Sequence, residues 1–192
     1  MMNNLKLKTR VPIGTELGNW LFQHYREDDI KRNDPVHREI DASGFDSLVD
    51  KGLTCLIDKR GDHIVMTDCQ MELNDFKSFY DSACGDIVIA GLGGGFILGP
   101  LIMKKSVKSI TVIEVDSELC NLLSPLYPEV DIININAFDF SPSDDQTFDY
   151  AWLDIWYTSG KSEYNSMCSL KKKFQGIAKN VYVWAFERAK KD

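Results

Sequence analysis

The sequence is poor in the features that staple small folds together or carry a chain through a membrane. It has 5 cysteines and 3 histidines in 192 residues. Cys55, Cys69, Cys84, Cys120 and Cys168 are odd in number and no two form a C-x-x-C pair. That pattern argues against a disulfide framework and against a thiolate zinc site. His24, His37 and His63 are scattered, without the spacing of a histidine metal site. No run reaches the roughly 18 apolar residues of a membrane span. The most apolar stretch, residues 86–103, is interrupted by five glycines and a proline. The amino end, Met1 to Arg10, lacks the apolar core of a signal peptide, so the chain is expected to be cytoplasmic. Basic charge is short as well: 22 Lys and Arg against 29 Asp and Glu leave a net charge of −7. Nucleic acid is therefore disfavoured as a partner, because phosphates call for clustered positive charge.

What is present is ordinary globular composition, 44% hydrophobic and 27% charged, in a length typical of one domain. Two regions emerge, residues 1–83 and 84–192. In the first, Thr15 is placed to cap a short helix from Glu16 to Tyr25. Leu53 to Ile57 and His63 to Met66 read as a β-hairpin around Asp58-Lys59-Arg60-Gly61-Asp62. Met71 to Ala83 reads as a helix whose apolar stripe, Met71, Phe76, Phe79, Tyr80 and Ala83, is broken by Asp75. In the second region strands alternate with helices. The strands are Asp86–Ala90, Ser109–Glu114, Val130–Asn134, Phe148–Asp154 and Asn180–Phe186; the helices are Phe96–Met103, a segment capped by Asp116 and running through Leu123, and Ser162–Ala178. Such alternation predicts an α/β, Rossmann-like, doubly wound and mainly parallel sheet, with a small mixed α/β amino-terminal region containing the hairpin. Ligands of such sheets bind at the carboxyl ends of the strands, near the switch point, which directs attention to the residues after Ala90, Glu114, Asn134 and Asp154.

After the first core strand stands Gly91-Leu92-Gly93-Gly94-Gly95-Phe96, a G-x-G-x-G turn. Glycine allows a sharp turn and a close approach of backbone to a ligand. The dinucleotide pattern G-x-G-x-x-G fails at Phe96, and the Walker pattern fails because Pro100 follows Gly99. A glycine turn alone is equally compatible with a structural role. Glu114, at the end of the second core strand and 19 residues after Gly95, adds to it. A carboxylate in that position accepts hydrogen bonds from both hydroxyls of a ribose. The plain alternative is a solvated acid at a strand end. Asp116 stands two residues on, with spacing better suited to an N-cap.

These segments resemble class I S-adenosylmethionine-dependent methyltransferases, in their spermidine-synthase-like branch. The resemblance is carried by Asp86–Gly95 (DIVIAGLGGG), Ile110–Asp116 (ITVIEVD), Ile132–Phe140 (IININAFDF) and Phe148–Trp156 (FDYAWLDIW). Ile64–Leu73 (IVMTDCQMEL) is similar to the segment before the glycine turn in short bacterial and phage members. The resemblance implies S-adenosylmethionine, or its decarboxylated form, as a small-molecule cofactor. Gly91, Leu92, Gly93 and Gly95 would line its methionine and ribose portions. Glu114 would hold the ribose hydroxyls, Val115 would lie against the adenine, and Asn136 and Ala137 would sit at the adenine edge. The family usually has Asp where Asn136 stands; the side-chain oxygen of Asn still accepts. Asp154 would be the functional carboxylate beside the reacting centre and the cofactor, with Tyr157 next to it among the catalytic residues. Trp156 and Glu72 would contribute to an acceptor site. Two departures stand out. Ile89 replaces the acid usual two residues before the first glycine, as in the spermidine-synthase branch. The sequence ends at Asp192, soon after the fifth core strand, where aminopropyltransferases of the branch carry an extension that completes the polyamine site. A sheet truncated after the fifth strand is thereby left open.

Methyl transfer from sulfur depends mainly on in-line positioning, and Asp154 is suited to orient or deprotonate an amine or hydroxyl acceptor. Trp156 and Tyr157 suit stacking on a planar or cationic group, or packing at the strand end. Lys171-Lys172-Lys173 reads as a solvated helix face rather than a contact to an anionic partner. Three functions are compatible with these residues. One is a methyltransferase of unknown acceptor. The second is an aminopropyltransferase, favoured by Asp154 and disfavoured by the missing extension. The third is a cofactor- or partner-binding protein without turnover, favoured by Asn136. A homo-oligomer stays open, and residues 1–50 suit a lid, a dimer arm or a substrate wall.

Overall fold

Ile87, Val88, Ile89 and Ala90 are all fully buried, which a strand achieves only when both faces of its sheet are covered. The computed structural model, which describes residues 5–25, 53–61, 63–143 and 146–191, places this run at the centre of a parallel sheet. The strands are β5 (Gly85–Ala90), β6 (Val107–Glu114), β7 (Asp131–Asn134), β8 (Phe148–Leu153) and β9 (Ala178–Val183), in the order β7-β6-β5-β8-β9. All four pairings are parallel. The chain winds outward from β5 on one side and then returns to wind outward through β8 and β9 on the other. The switch point therefore lies between β5 and β8, and this is the doubly wound Rossmann-like arrangement expected from the alternation of strands and helices.

The chain forms two compact units, residues 1–74 with 93–100, and residues 75–92 with 101–192. The second unit contains the parallel sheet. One face of that sheet gathers Val88, Ala90, Ile113, Ala151 and Leu153 with Leu170 and Phe174 of helix α4 (Lys161–Phe174). On the other face Trp152 meets Phe76 and Phe79 of helix α1 (Gln70–Ser82), with ring centroids 5.7 and 5.4 Å apart, and Phe79 meets Tyr182 at 5.6 Å. Aromatic pairs at these distances add to the burial energy of each ring. Helix α2 spans Leu98–Ile102. Helix α3 (Ser117–Leu123) starts at Asp116, whose Oδ1 accepts the N–H groups of Glu118 and Leu119 at 2.9 and 3.1 Å, satisfying two otherwise unpaired donors. Helix α4 ends at Phe174, short of the expected Ala178, and a turn through Gly176 leads into β9.

The first unit is an antiparallel sheet, β1 (Glu16–Leu17), β2 (Trp20–Tyr25), β3 (Leu53–Asp58) and β4 (His63–Thr67), in that order. The β3–β4 hairpin is the one read from the sequence, with a register shift between Leu56 and Ile57. The helix expected over Glu16–Tyr25 is not formed; those residues make a hairpin instead. Gly18, at φ 53, and Asn19 form its two-residue turn. β2 pairs with β3 along its whole length, Trp20 opposite Asp58 and Tyr25 opposite Leu53. Trp20, Phe22 and Tyr25 favour a pleated, half-buried surface over a helix, and the ladder with β3 decides the outcome. Thr15 caps nothing: its hydroxyl donates to the Pro12 carbonyl at 2.7 Å and its own carbonyl accepts the Phe22 N–H at 2.9 Å. The role expected of residues 1–50 falls largely on residues 26–50, which lie outside the described residues, as do His37 and Asp62. Among the described residues, no helix is long and apolar enough to cross a membrane.

Candidate functional site

The chain leaves β5 at Gly91, whose φ is 97. Its N–H donates to the Ile113 carbonyl at 2.9 Å, and the Asp154 N–H donates to the Ala90 carbonyl at 2.8 Å. The ends of β5, β6 and β8 are thus laced together at the switch point. A Cβ on Gly91 would overlap the carbonyl oxygen of Asp154, so this glycine is required by the protein's own backbone. Gly93, Gly94 and Gly95 follow in one short turn with φ of 51, 67 and 76. They belong to the first unit. There a Cβ on Gly94 would lie 2.9 Å from Phe22 Cε1 and 3.3 Å from Leu56 Cδ2. Thr9 Oγ1 donates to the Gly94 carbonyl at 2.6 Å, and the Lys8 N–H to the Phe96 carbonyl at 3.1 Å. The segment Lys8–Thr9 therefore straps the glycine turn in place.

Within the second unit, Glu114 and the start of the glycine turn are joined directly. The Leu92 N–H donates to Glu114 Oε2 at 2.9 Å and the Asp116 N–H donates to Oε1 at 2.8 Å. The two bonds fix the plane of the carboxylate and use one acceptor position on each oxygen, leaving a second on each. Burial pushes the carboxyl above its ordinary value, and those two N–H groups pull it back. Asn134 fixes the next residues, its Nδ2 donating to the carbonyls of Glu114 and Val115 at 2.9 and 3.0 Å. Val115 itself is 67% exposed.

After β7, Asn136 turns back on its own chain. Its Oδ1 accepts the Phe138 N–H at 2.9 Å, and its carbonyl accepts the N–H groups of Asp139 and Phe140. The side-chain oxygen retains one lone pair. The methyl of Ala137 is buried in the core with Phe140 and Phe174, so this residue offers its surroundings backbone only. Leu92 is buried too and likewise contributes through its N–H.

After β8 stand Asp154, Ile155, Trp156 and Tyr157. Burial is the main influence on the Asp154 carboxyl, pushing it up to about 7. Trp152 and Arg188 act in the opposite direction, and Asp75 adds to the rise. The Trp152 indole N–H favours the ionised form and has no hydrogen-bond partner among the described residues. Trp156 is half-buried against the core, and its Nε1 donates to Ser166 Oγ of α4 at 2.8 Å. Tyr157 is 52% exposed. Val115, Phe138, Ile155 and Tyr157 are thus exposed apolar side chains that all follow carboxyl ends of the parallel strands.

The second unit therefore contains Gly91, Leu92, Glu114, Val115, Asn136, Ala137, Asp154, Trp156 and Tyr157; Gly93, Gly95 and Glu72 belong to the first. Sequence reasoning missed Asp75, Arg188 and the Trp152 indole. The one signal for them was the acid that breaks the apolar stripe of α1. Lys171-Lys172-Lys173 is less solvated than expected: Lys171 Nζ lies 4.1 Å from the Phe186 ring centroid, and Lys173 Nζ donates to the Phe138 carbonyl at 2.6 Å. Among the described residues, no three His, Cys, Asp or Glu side chains group as metal ligands.

No family model matches the sequence, and no curated protein does. Among solved structures, the chain is similar to the spermidine synthase of Thermotoga maritima. The two share 16% identity with a TM-score of 0.40, over 60% of this chain and 45% of that one. It is also similar to the plantazolicin methyltransferase BpumL in complex with SAH, at 16% identity and a TM-score of 0.37, over 72% of this chain and 59% of that one. The chain thus spans about half the length of these neighbours. The fold itself stands on the strand order and pairing described above.

Proposed function

We propose that the protein binds S-adenosylmethionine and transfers its methyl group to an acceptor. The observation that carries this reading is the Glu114 carboxylate, held at the end of β6 by the N–H of Leu92 in the glycine turn and by that of Asp116. Two acceptor positions remain on a fixed carboxylate, the number that a ribose diol fills. The residues fit the rest of a nucleoside: Val115 presents an apolar surface beside the acid, and Asn136 retains an acceptor for an exocyclic amine. The bound sulfonium would supply an activated carbon. The chain would supply position and a proton acceptor. Asp154, with a carboxyl pushed up to about 7, is divided between acid and carboxylate at neutral pH, a state suited to taking a proton from an amine or hydroxyl. Tyr157, exposed just after Asp154, would stand beside the acceptor, and Trp156, tied to Ser166, would buttress it.

Calorimetry tests it. S-adenosylmethionine is expected to bind, and Glu114→Ala to weaken it by at least tenfold, because a hydrogen bond to a charged group contributes about 1.5–3 kcal/mol. Unchanged affinity in a folded variant removes the ribose assignment. Tighter binding of the decarboxylated cofactor turns the reading to aminopropyl transfer. Binding with no product from any acceptor leaves a binding protein.

A further inference from the structure

Asp75 interrupts the apolar stripe of α1, and its partner lies 113 residues away. Arg188, in helix α5 (Phe186–Ala189), grips it with two parallel bonds: Nη1 to Oδ1 at 2.8 Å and Nη2 to Oδ2 at 2.7 Å. Such fork–fork pairing fixes both groups in orientation as well as in distance. The same guanidinium lies 5.4 Å from the Trp184 ring centroid. Trp184 in turn donates its backbone N–H to the Leu153 carbonyl at 2.9 Å, immediately before Asp154. From the other side Phe76, next to Asp75, sets its ring edge-on to Trp152, two residues before Asp154. The joint between β9 and α5 is Ala185 at φ 52, the one non-glycine residue with positive φ among the described residues. Strain of this kind persists where the surroundings over-determine it. Trp152 is 3% exposed, and its Nε1–H has no partner among the described residues. A buried donor without a partner is costly and calls for an explanation.

We propose that Asp75 and Arg188 are positioning residues of Asp154, closing on each other so that Asp154 keeps no counter-ion of its own, and that the Trp152 indole is the donor Asp154 engages when it ionises. An arginine free to turn to Asp154 would hold it permanently as the anion. Bound twice to Asp75, Arg188 brings a neutral pair instead. Ionising Asp154 then leaves the trio at −1, and the Trp152 indole N–H, a buried donor with no partner among the described residues, is suited to receive that charge. Asp75 from α1 and Arg188 from α5 are the charged groups that act on Asp154. The functional consequence, an acid–base group poised for an acceptor, rests on the role of Asp154 given under Proposed function; the ionisation itself needs no ligand.

The test is the indole region of a proton–nitrogen NMR spectrum, recorded from acid to alkaline pH. The four tryptophans give four signals, and Trp152→Phe identifies one. The Trp152 signal is expected to move with a midpoint near 7 and to stop moving in Asp154→Asn. Asp75→Asn frees Arg188 to pair with Asp154, so the midpoint falls by about 1–3 units. Arg188→Gln bares the Asp75 carboxylate, and the midpoint rises. A Trp152 signal indifferent to pH, or one midpoint shared by wild type and both folded variants, overturns the inference. If a variant fails to fold, the wild type decides: the Asp154 carboxyl carbon and the Trp152 indole must titrate together, and separate midpoints overturn the proposal. A protein that binds no S-adenosylmethionine but shows these shifts would lose the proposed function and keep this mechanism. The opposite outcome would do the reverse.

Discussion

Replacing Asp154 by asparagine should make the protein more stable, by an amount that depends on pH. Asparagine keeps the volume and never ionises. The wild-type carboxyl has an ordinary value of 3.8 and is pushed up to about 7 in the fold, chiefly by burial. A carboxyl raised on folding binds its proton more tightly in the native state. Its stabilising contribution is complete below about 3.8 and is lost as pH rises through about 7. The difference of about 3 units, at 1.36 kcal/mol each, sets a ceiling of about 4 kcal/mol on what the ionised group costs above neutrality. Asp154 is half-buried by accessible surface, and partial access to water lowers that figure to about 2 kcal/mol. In a chain of 192 residues, about 2 kcal/mol corresponds to roughly 4–8 °C in Tm. Scanning calorimetry of both proteins from pH 4 to pH 9 should show no gain for Asp154→Asn at pH 4, a gain growing toward neutrality, and a plateau above pH 7. A gain independent of pH, or none at pH 8, would refute the claim that Asp154 is held near neutral by desolvation.

The glycine turn offers a paired test by urea unfolding. Gly91→Ala drives a Cβ into the backbone of Asp154 and should cost about 3 kcal/mol or more. Gly93→Ala, whose nearest neighbour would be Met66 Cγ at 3.6 Å, should cost only the left-handed penalty, about 1–2 kcal/mol. Phe79 is fully buried among Phe76, Trp152 and Tyr182, so Phe79→Ala should destabilise by about 3–5 kcal/mol in the same assay. In an enzymatic assay with an identified acceptor, Asp154→Asn should retain cofactor binding by calorimetry and lose transfer; turnover at the wild-type rate would make Asp154 structural.

The legible parts of the fold are those in which one local signal suffices. The run from Ile87 to Ala90 is apolar at every position because both faces of β5 are covered. Asp116 stands where an N-cap must stand, and Glu114 ends a strand whose neighbour runs out into a glycine turn. The illegible parts depend on distant residues. Glu16–Tyr25 has the length and a cap suited to a helix, yet its backbone pairs with β3, some thirty residues on, Trp20 against Asp58. Trp156 appeared free for stacking, but Ser166, ten residues further along, takes its indole. Lys173 looked solvated, but its partner is a carbonyl 35 residues earlier. Asp75 showed only as a defect in a stripe until Arg188 explained it.

An unpartnered indole is not by itself a mark of function. Trp20 and Trp184 also have one, and at Trp20 the Arg60 guanidinium, itself bound to Asp58, covers the ring at 5.2 Å. At the ends of β8 and β9, by contrast, several costs coincide. A carboxyl is desolvated, a buried indole donor has no acceptor among the described residues, and an alanine is held in the left-handed region. Each is a local violation that a fold selected for stability alone would remove with one substitution: asparagine at 154, phenylalanine at 152, glycine at 185. Violations gathered at neighbouring carboxyl ends of the strands, the end of such sheets where ligands bind, are expected where stability yields to chemistry. Hence the three substitutions should separate: each is tolerated or stabilising to the fold, whereas Asp154→Asn and Trp152→Phe alter how the site handles a proton.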